Sequence, residues 1–110
     1  TGAWTFTVDT RAPQAPALVS PASGTSTTDH TPLLDWSTVT DATGVHYQLY
    51  LDNNANFSSP VIMKTWITTS YYTLAFKESL AAGRYYWKVR AVDAAGIASA
   101  WTASRWFRVT

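Results

Sequence analysis

The sequence predicts an all-β domain, a seven-stranded antiparallel β-sandwich, and three observations carry that prediction. The first is a strict alternation after Gly83: Tyr85, Trp87, Val89 and Ala91 share one parity, and Tyr86, Lys88, Arg90 and Val92 the other. A period of two is the signature of a strand with one dry and one wet face. The second is composition. Ser and Thr are abundant, and Ala-Leu-Lys-Glu runs long enough for helices are missing. The third is the recurrence of short apolar runs between Gly, Pro, Asn and Asp clusters. A face carrying Tyr and Trp needs a second apolar layer over it, so the expected architecture is sheet on sheet.

In chain order, Trp4, Phe6 and Val8 alternate near the start, and Phe107 and Val109 repeat the last two at an offset of 101 residues. Residues 1–9 are expected to be the last strand of a preceding repeat or an N-terminal extension, added to an exposed sheet edge. Residues 10–16 hold Pro13 and Pro16 and form a semi-rigid connector. The domain proper is residues 17–110.

Its first strand is Ala17–Ser20, ending at Pro21. Residues 21–31 are rich in Ser, Thr, Gly and Pro and are expected to be loop. The second strand is Leu33–Ser37, with Leu34 and Trp36 inward and Leu33 and Asp35 outward. The third is Val45–Asp52, with Val45, Tyr47, Leu49 and Leu51 inward and His46, Gln48 and Tyr50 outward. Asp52-Asn53-Asn54 is a turn signal. Val61–Ile67 and Tyr71–Ala75 are the fourth and fifth strands. A turn is expected within 76–82. Arg84–Asp93 is the sixth strand and Trp101–Val109 the seventh. An odd number of antiparallel strands sends the chain in at one pole and out at the other.

The chain has 110 residues, enough for one core. Net charge is +1, with no basic block to attract a phosphate backbone, so no nucleic-acid partner is expected. No cysteine is present, which excludes disulfides, thiol catalysis and thiolate metal sites. Stability must therefore come from the packed core, to which six Trp, six Tyr and four Phe contribute. No stretch approaches the roughly 18 apolar residues of a membrane span. The chain opens on Thr1 and is expected to be a piece of a longer protein.

Residues 32–93 and 107–109 carry a resemblance. Pro32-x-Leu34-x-Trp36, Tyr47-x-Leu49-x-Leu51, Leu80-x-x-Gly83-x-Tyr85-x-Trp87-x-Val89-x-Ala91 and Phe107-x-Val109 resemble, in order, four strands of fibronectin type III domains. The resemblance covers about residues 15–110. It implies an immunoglobulin-like sandwich and a tyrosine corner in the sixth strand. The family places one more residue between the glycine and the corner tyrosine, which makes Tyr86 a rival to Tyr85. Shared parity with Trp87 favours Tyr85, whose hydroxyl is then expected to bond backbone in the loop before its strand. Trp36, Tyr47, Tyr85 and Trp87 are the expected structural core. The cysteine-free, Thr-rich style resembles bacterial extracellular members of the family, implying an extracellular or cell-surface location.

No catalytic constellation stands out. There is no Gly-x-Ser-x-Gly elbow. His30 and His46 are expected to be solvated surface imidazoles. Glu78 is the lone glutamate, in a loop, and Asp41 and Asp93 have nothing near them in sequence to raise a carboxyl pKa. Asp52-x-Asn54-x-Asn56 resembles the opening of a calcium loop, but Phe57 and Met63 stand where a glycine and a glutamate are needed. It is expected to be a polar turn. Asn56-Phe57-Ser58 also fits a glycosylation sequon. No cofactor and no metal site are expected.

The wet face of the third, sixth and seventh strands is the candidate binding surface: Tyr50, Tyr86, Arg90, Trp106 and Arg108, with His46, Gln48 and Lys88. Such rings could stack on a sugar or a partner side chain. The plainer reading is that they pair with one another and with the cations to stabilise the sheet. The directions of Trp66, Tyr72 and Trp101 are left open, with a cap on the core at a sheet end as one option for Trp101. Two functions are therefore carried forward. One is a non-catalytic spacer in a tandem-repeat extracellular protein, whose partners are the neighbouring domains of its own chain. The other is an adhesive or carbohydrate-binding module with a carbohydrate or protein ligand.

Overall fold

The computed structural model describes residues 12–41 and 43–110. Within them lie eight strands: β1 (Leu18–Ser20), β2 (Thr25–Thr27), β3 (Leu33–Trp36), β4 (Val45–Asp52), β5 (Ile62–Ile67), β6 (Tyr71–Thr73), β7 (Gly83–Asp93) and β8 (Arg105–Val109). A 3-10 turn at Phe76–Glu78 is the one helical element among these residues. The strands form a three-stranded sheet in the order β1-β3-β6 and a five-stranded sheet in the order β2-β8-β7-β4-β5. The expected sandwich is present. Residues 1–9, with Trp4, Phe6 and Val8, and the first part of the expected connector lie outside the described residues.

The two sheets meet through the alternating residues. β3 contributes Leu34 and Trp36, and β4 contributes Tyr47, Leu49 and Leu51. β7 contributes Tyr85, Trp87, Val89 and Ala91, and β8 adds Phe107 and Val109. Trp36 and Trp87 are the largest fully buried side chains, and Tyr47 meets Trp36 edge-on with ring centroids 5.6 Å apart. Each such indole withdraws about 150–250 Å² from water. Neither indole N–H has a partner among the described residues. What holds the two rings in place is therefore apolar packing, with no directed polar contact.

Two tyrosines fasten loops to this core. The Tyr47 hydroxyl accepts the Val39 N–H at 2.9 Å, closing the β3–β4 connection onto β4. The Tyr85 hydroxyl donates to the Ala81 carbonyl at 2.8 Å. That is the expected tyrosine corner, and it goes to Tyr85 and not to its neighbour Tyr86.

The structure differs from the sequence reading in three places. The segment 21–31 is not all loop, because Thr25–Thr27 pairs with Phe107–Val109. That pairing is parallel, so the sandwich is not wholly antiparallel. The first strand is in effect split, with β1 in the small sheet and β2 in the large one. Pro21, which has no N–H for a ladder, stands at the break. Gly24 follows at φ +86°, where a Cβ would sit 3.6 Å from the Trp106 ring. That distance is an ordinary contact, so it is the left-handed backbone alone that favours glycine there.

The last strand begins at Arg105 and not at Trp101. Before it, Ser99 and Thr102 each bond β7 twice. Ser99 N–H donates to the Ala91 carbonyl and its Oγ accepts the Ala91 N–H, at 2.7 and 3.0 Å. Thr102 does the same at Val89, at 2.9 and 3.1 Å. Side-chain oxygens thus replace ladder carbonyls, and the segment satisfies β7 without being a strand.

The third difference is in β5. Tyr47 faces Ile67, but Leu49 faces Lys64, so a bulge inserts chain opposite Gln48. Ile62 and Ile67 both point inward although they are an odd number apart. A bulge of this kind resets parity and re-aims a side chain, here Trp66.

Candidate functional site

Parity places the candidate residues on the outer face of the large sheet, and the register brings them side by side. Tyr50 lies opposite Lys88, Gln48 opposite Arg90, and Tyr86 opposite Trp106. Arg108 lies opposite Arg84 and is exposed, while Tyr50, Tyr86, Arg90 and Trp106 are half-buried.

Their burial comes from the chain's own side chains. Trp101 does not cap the core. It lies on this outer face, its ring centroid 4.6 Å from that of Tyr50. The Arg90 guanidinium sits 4.5 Å over Trp101 while its Nε donates to Gln48 Oε1 at 2.7 Å. Lys88 Nζ lies 4.7 Å from the Trp101 ring, 4.4 Å from Phe57 and 5.9 Å from Tyr50. Arg84 covers Trp106 at 4.1 Å. Arg84, Lys88 and Arg90 therefore each already have an aromatic partner, an arrangement worth about 0.5–1 kcal/mol per contact at exposed sites. Trp101 was missed because it precedes the strand, so no parity could place it.

Phe57 reaches Lys88 from the β4–β5 loop with φ 52°, a costly conformation for a bulky residue. The loop around it is the expected polar turn, the segment that resembles the opening of a calcium loop. Its side-chain oxygens serve the loop itself: Asp52 Oδ1 accepts Asn53 N–H, Asn54 Oδ1 accepts Asn56 N–H, and Asn56 Oδ1 accepts Ser58 N–H.

A second cluster joins the sheets at one edge. Glu78 receives Lys64 Nζ at 2.7 Å, the Tyr72 hydroxyl, and the Ala75 N–H at 2.8 Å. Burial works against ionising Glu78, but the hydrogen bonds from Lys64, Tyr72 and Ala75 outweigh it and hold the carboxyl down to about 2. The hydrogen bond to Glu78 raises Lys64. Desolvation, then the bond to Glu78, raises Tyr72. A carboxyl held this low is a poor proton donor near neutrality, the reverse of a general acid.

His30 is exposed, as expected, and its ring makes one contact with the chain, whereas His46 is not the solvated surface imidazole expected. His30 Nδ1 lies 2.6 Å from the Leu80 carbonyl, and Leu80 N–H returns a bond to the His30 carbonyl at 2.8 Å. His46 does face outward, but it is buried to 8% exposure beneath Trp66, with ring centroids 3.5 Å apart and planes 20° apart. Burial lowers its pKa. Trp66 itself is 72% exposed. Beside it runs a groove of about 310 Å³, walled by the β3–β4 loop at Thr43 and Gly44, by the end of β5, and by Ala94 after β7.

Fold and surface together define an immunoglobulin-like, fibronectin type III-like module. The chain belongs to the family described as "Rha78A-like, N-terminal immunoglobulin domain", which matches residues 21–110. No curated protein sequence matches it. Among solved structures it is similar to a Fn3-like protein from Clostridium thermocellum, with TM-score 0.63 and 20% identity over 91% of this chain and 96% of that one. It is also similar to part of a Streptomyces avermitilis α-L-rhamnosidase complexed with L-rhamnose, with TM-score 0.53 and 24% identity over 89% of this chain and 10% of that one. A third similarity is to part of a β-1,2-glucanase from Parabacteroides distasonis, with TM-score 0.62 and 19% identity over 89% of this chain and 13% of that one. At these identities the structures share the fold. In the two enzymes this chain corresponds to about a tenth of the molecule.

Proposed function

We propose that the chain is a non-catalytic accessory domain of an extracellular glycosidase, holding neighbouring domains of the same protein at a fixed separation. The observation that carries this reading is the path of the chain. β1 leads into β2, which runs parallel to the last strand, β8, and Arg105 at the start of β8 reaches back to the Val19 carbonyl at 3.1 Å. Among the described residues the chain thus comes in beside the start of β8 and leaves past its end, a path that suits a domain strung in line with a neighbour. The eleven-residue β7 sets the length of that step at about 36 Å. Membership in a family of N-terminal immunoglobulin domains, and the place of this fold within a rhamnosidase and a glucanase, support the accessory role. On this reading Tyr50, Arg90 and Trp106 stiffen the sheet, since each is engaged with a ring or cation of the same face, and Tyr86 and Arg108 are plain cross-strand neighbours of Trp106 and Arg84.

Small-angle scattering of the chain fused to its following domain tests the proposal. The expected result is a particle longer than that domain alone by about 30–40 Å. A particle no longer than the neighbouring domain would mean the two fold back on each other, and the spacer reading fails.

A further inference from the structure

The groove beside Trp66 shares only His46 with the surface singled out by strand parity, and it does not depend on the spacer role. Trp66 is the most exposed tryptophan among the large exposed apolar residues of the sheets, at 72%. It is not a loose ring. The bulge opposite Gln48 turns it onto the outer face, and His46 stacks under it at 3.5 Å. One face of the indole is held by His46, and the exposed ring forms one wall of a concavity of about 310 Å³. That volume sits at the low end for small-molecule sites.

The chemistry of the walls narrows the ligand. Val45, Ala94 and the indole supply apolar surface, and Thr43 and Thr68 supply hydroxyls. The Thr43 hydroxyl donates to Asp41 Oδ1 at 2.9 Å, which leaves its lone pairs to accept from a ligand. No Lys, Arg, Asp or Glu side chain lines the groove. Burial favours the neutral form of His46, the one titratable wall. A charged ligand would find no counter-charge, and a purely apolar one would make no use of the Thr43 and Thr68 hydroxyls. A pyranose matches both requirements: it presents C–H bonds on one face for the electron-rich indole face and hydroxyls around its rim.

We infer that the groove beside Trp66 binds one ring of a neutral sugar, with the free face of the indole against the apolar face of the pyranose and Thr43 and Thr68 at its rim. His46 is a positioning residue that holds the indole flat.

The test is an NMR titration of the intact chain with L-rhamnose and, separately, with a β-1,2-linked glucan, following indole and backbone N–H resonances. The expected result is a saturable shift of the Trp66 indole and of Thr43, Thr68 and Ala94 with at least one of the two, half-saturating in the millimolar range. The Trp66→Ala variant should lose it. The Ala94→Phe variant, which fills the groove and leaves the Trp66–His46 stack in place, should lose it as well and serves if Trp66→Ala is poorly folded. No saturable shift with either sugar, or a shift that survives Ala94→Phe, overturns the inference. So does burial of Trp66 against an attached neighbouring domain, which would make the groove a protein contact. None of these outcomes bears on the scattering length that tests the spacer role.

Discussion

Tyr85 on β7 holds the carbonyl of Ala81, four residues back in the chain, through a 2.8 Å hydrogen bond from its phenol. The ring is buried beside Phe107, with centroids 6.1 Å apart, while Ala81 is at the surface. The bond thus ties an exposed loop to the core at the point where the chain crosses from the small sheet to the large one.

Tyr85→Phe keeps the ring and removes that tie. The expected loss is about 1 kcal/mol, or roughly 4–8 °C in melting temperature for a domain near this size. Tyr86→Phe should change little, because Tyr86 is half-buried on the outer face. Thermal melts of the two variants decide between them, and equal effects would refute the corner assignment.

Trp36→Ala and Trp87→Ala open large voids where the rings are 1% and 0% exposed. Each should cost about 3–5 kcal/mol, against a total stability of about 5–15 kcal/mol for domains in general. Urea unfolding should show both variants largely unfolded or close to it. A cooperative transition near the wild-type midpoint at either site would contradict the packing described.

The Lys64–Glu78–Tyr72 cluster makes a pH prediction. The Glu78 carboxyl titrates near 2 in the folded chain against an ordinary value of 4.5. A carboxyl lowered by folding stabilises the fold above its unfolded value, and that contribution fades as pH falls toward the folded one. Glu78→Gln should therefore cost about 1–2 kcal/mol at pH 7, and the gap to wild type should close between about pH 4.5 and 2. Melting temperature against pH for both proteins is the measurement. A gap unchanged at pH 2 would show that the charge plays no part.

Trp101→Ala should cost about 1–2 kcal/mol even though Trp101 is in no strand, because Tyr50, Lys88 and Arg90 all rest on it. A double-mutant cycle with Arg90→Ala should return a coupling of about 0.5–1 kcal/mol. Zero coupling would mean that the guanidinium and the indole are neighbours without being partners.

The parts of the fold legible in the sequence were those where burial imposes a period of two. Tyr85 to Ala91, Tyr47 to Leu51, and Phe107 with Val109 all fell on the inner face as their alternation required. β2 was not legible because Thr25, Ser26 and Thr27 bury no apolar face, and their pairing with β8 rests on backbone groups alone. The groove escaped for a different reason. Trp66 owes its direction to a bulge, and one inserted residue defeats any parity argument. His46 was given the correct side, but nothing in its own strand announces the indole above it.

The parallel match of Thr25–Thr27 to Phe107–Val109 has a mechanical consequence. Tension along the protein would drag β2 one way and β8 the other, so the bonds between them would be loaded lengthwise together and not peeled in turn. Strands loaded in this way part only when many bonds fail at once, so the clasp resists a pull along the chain better than a peeled edge would.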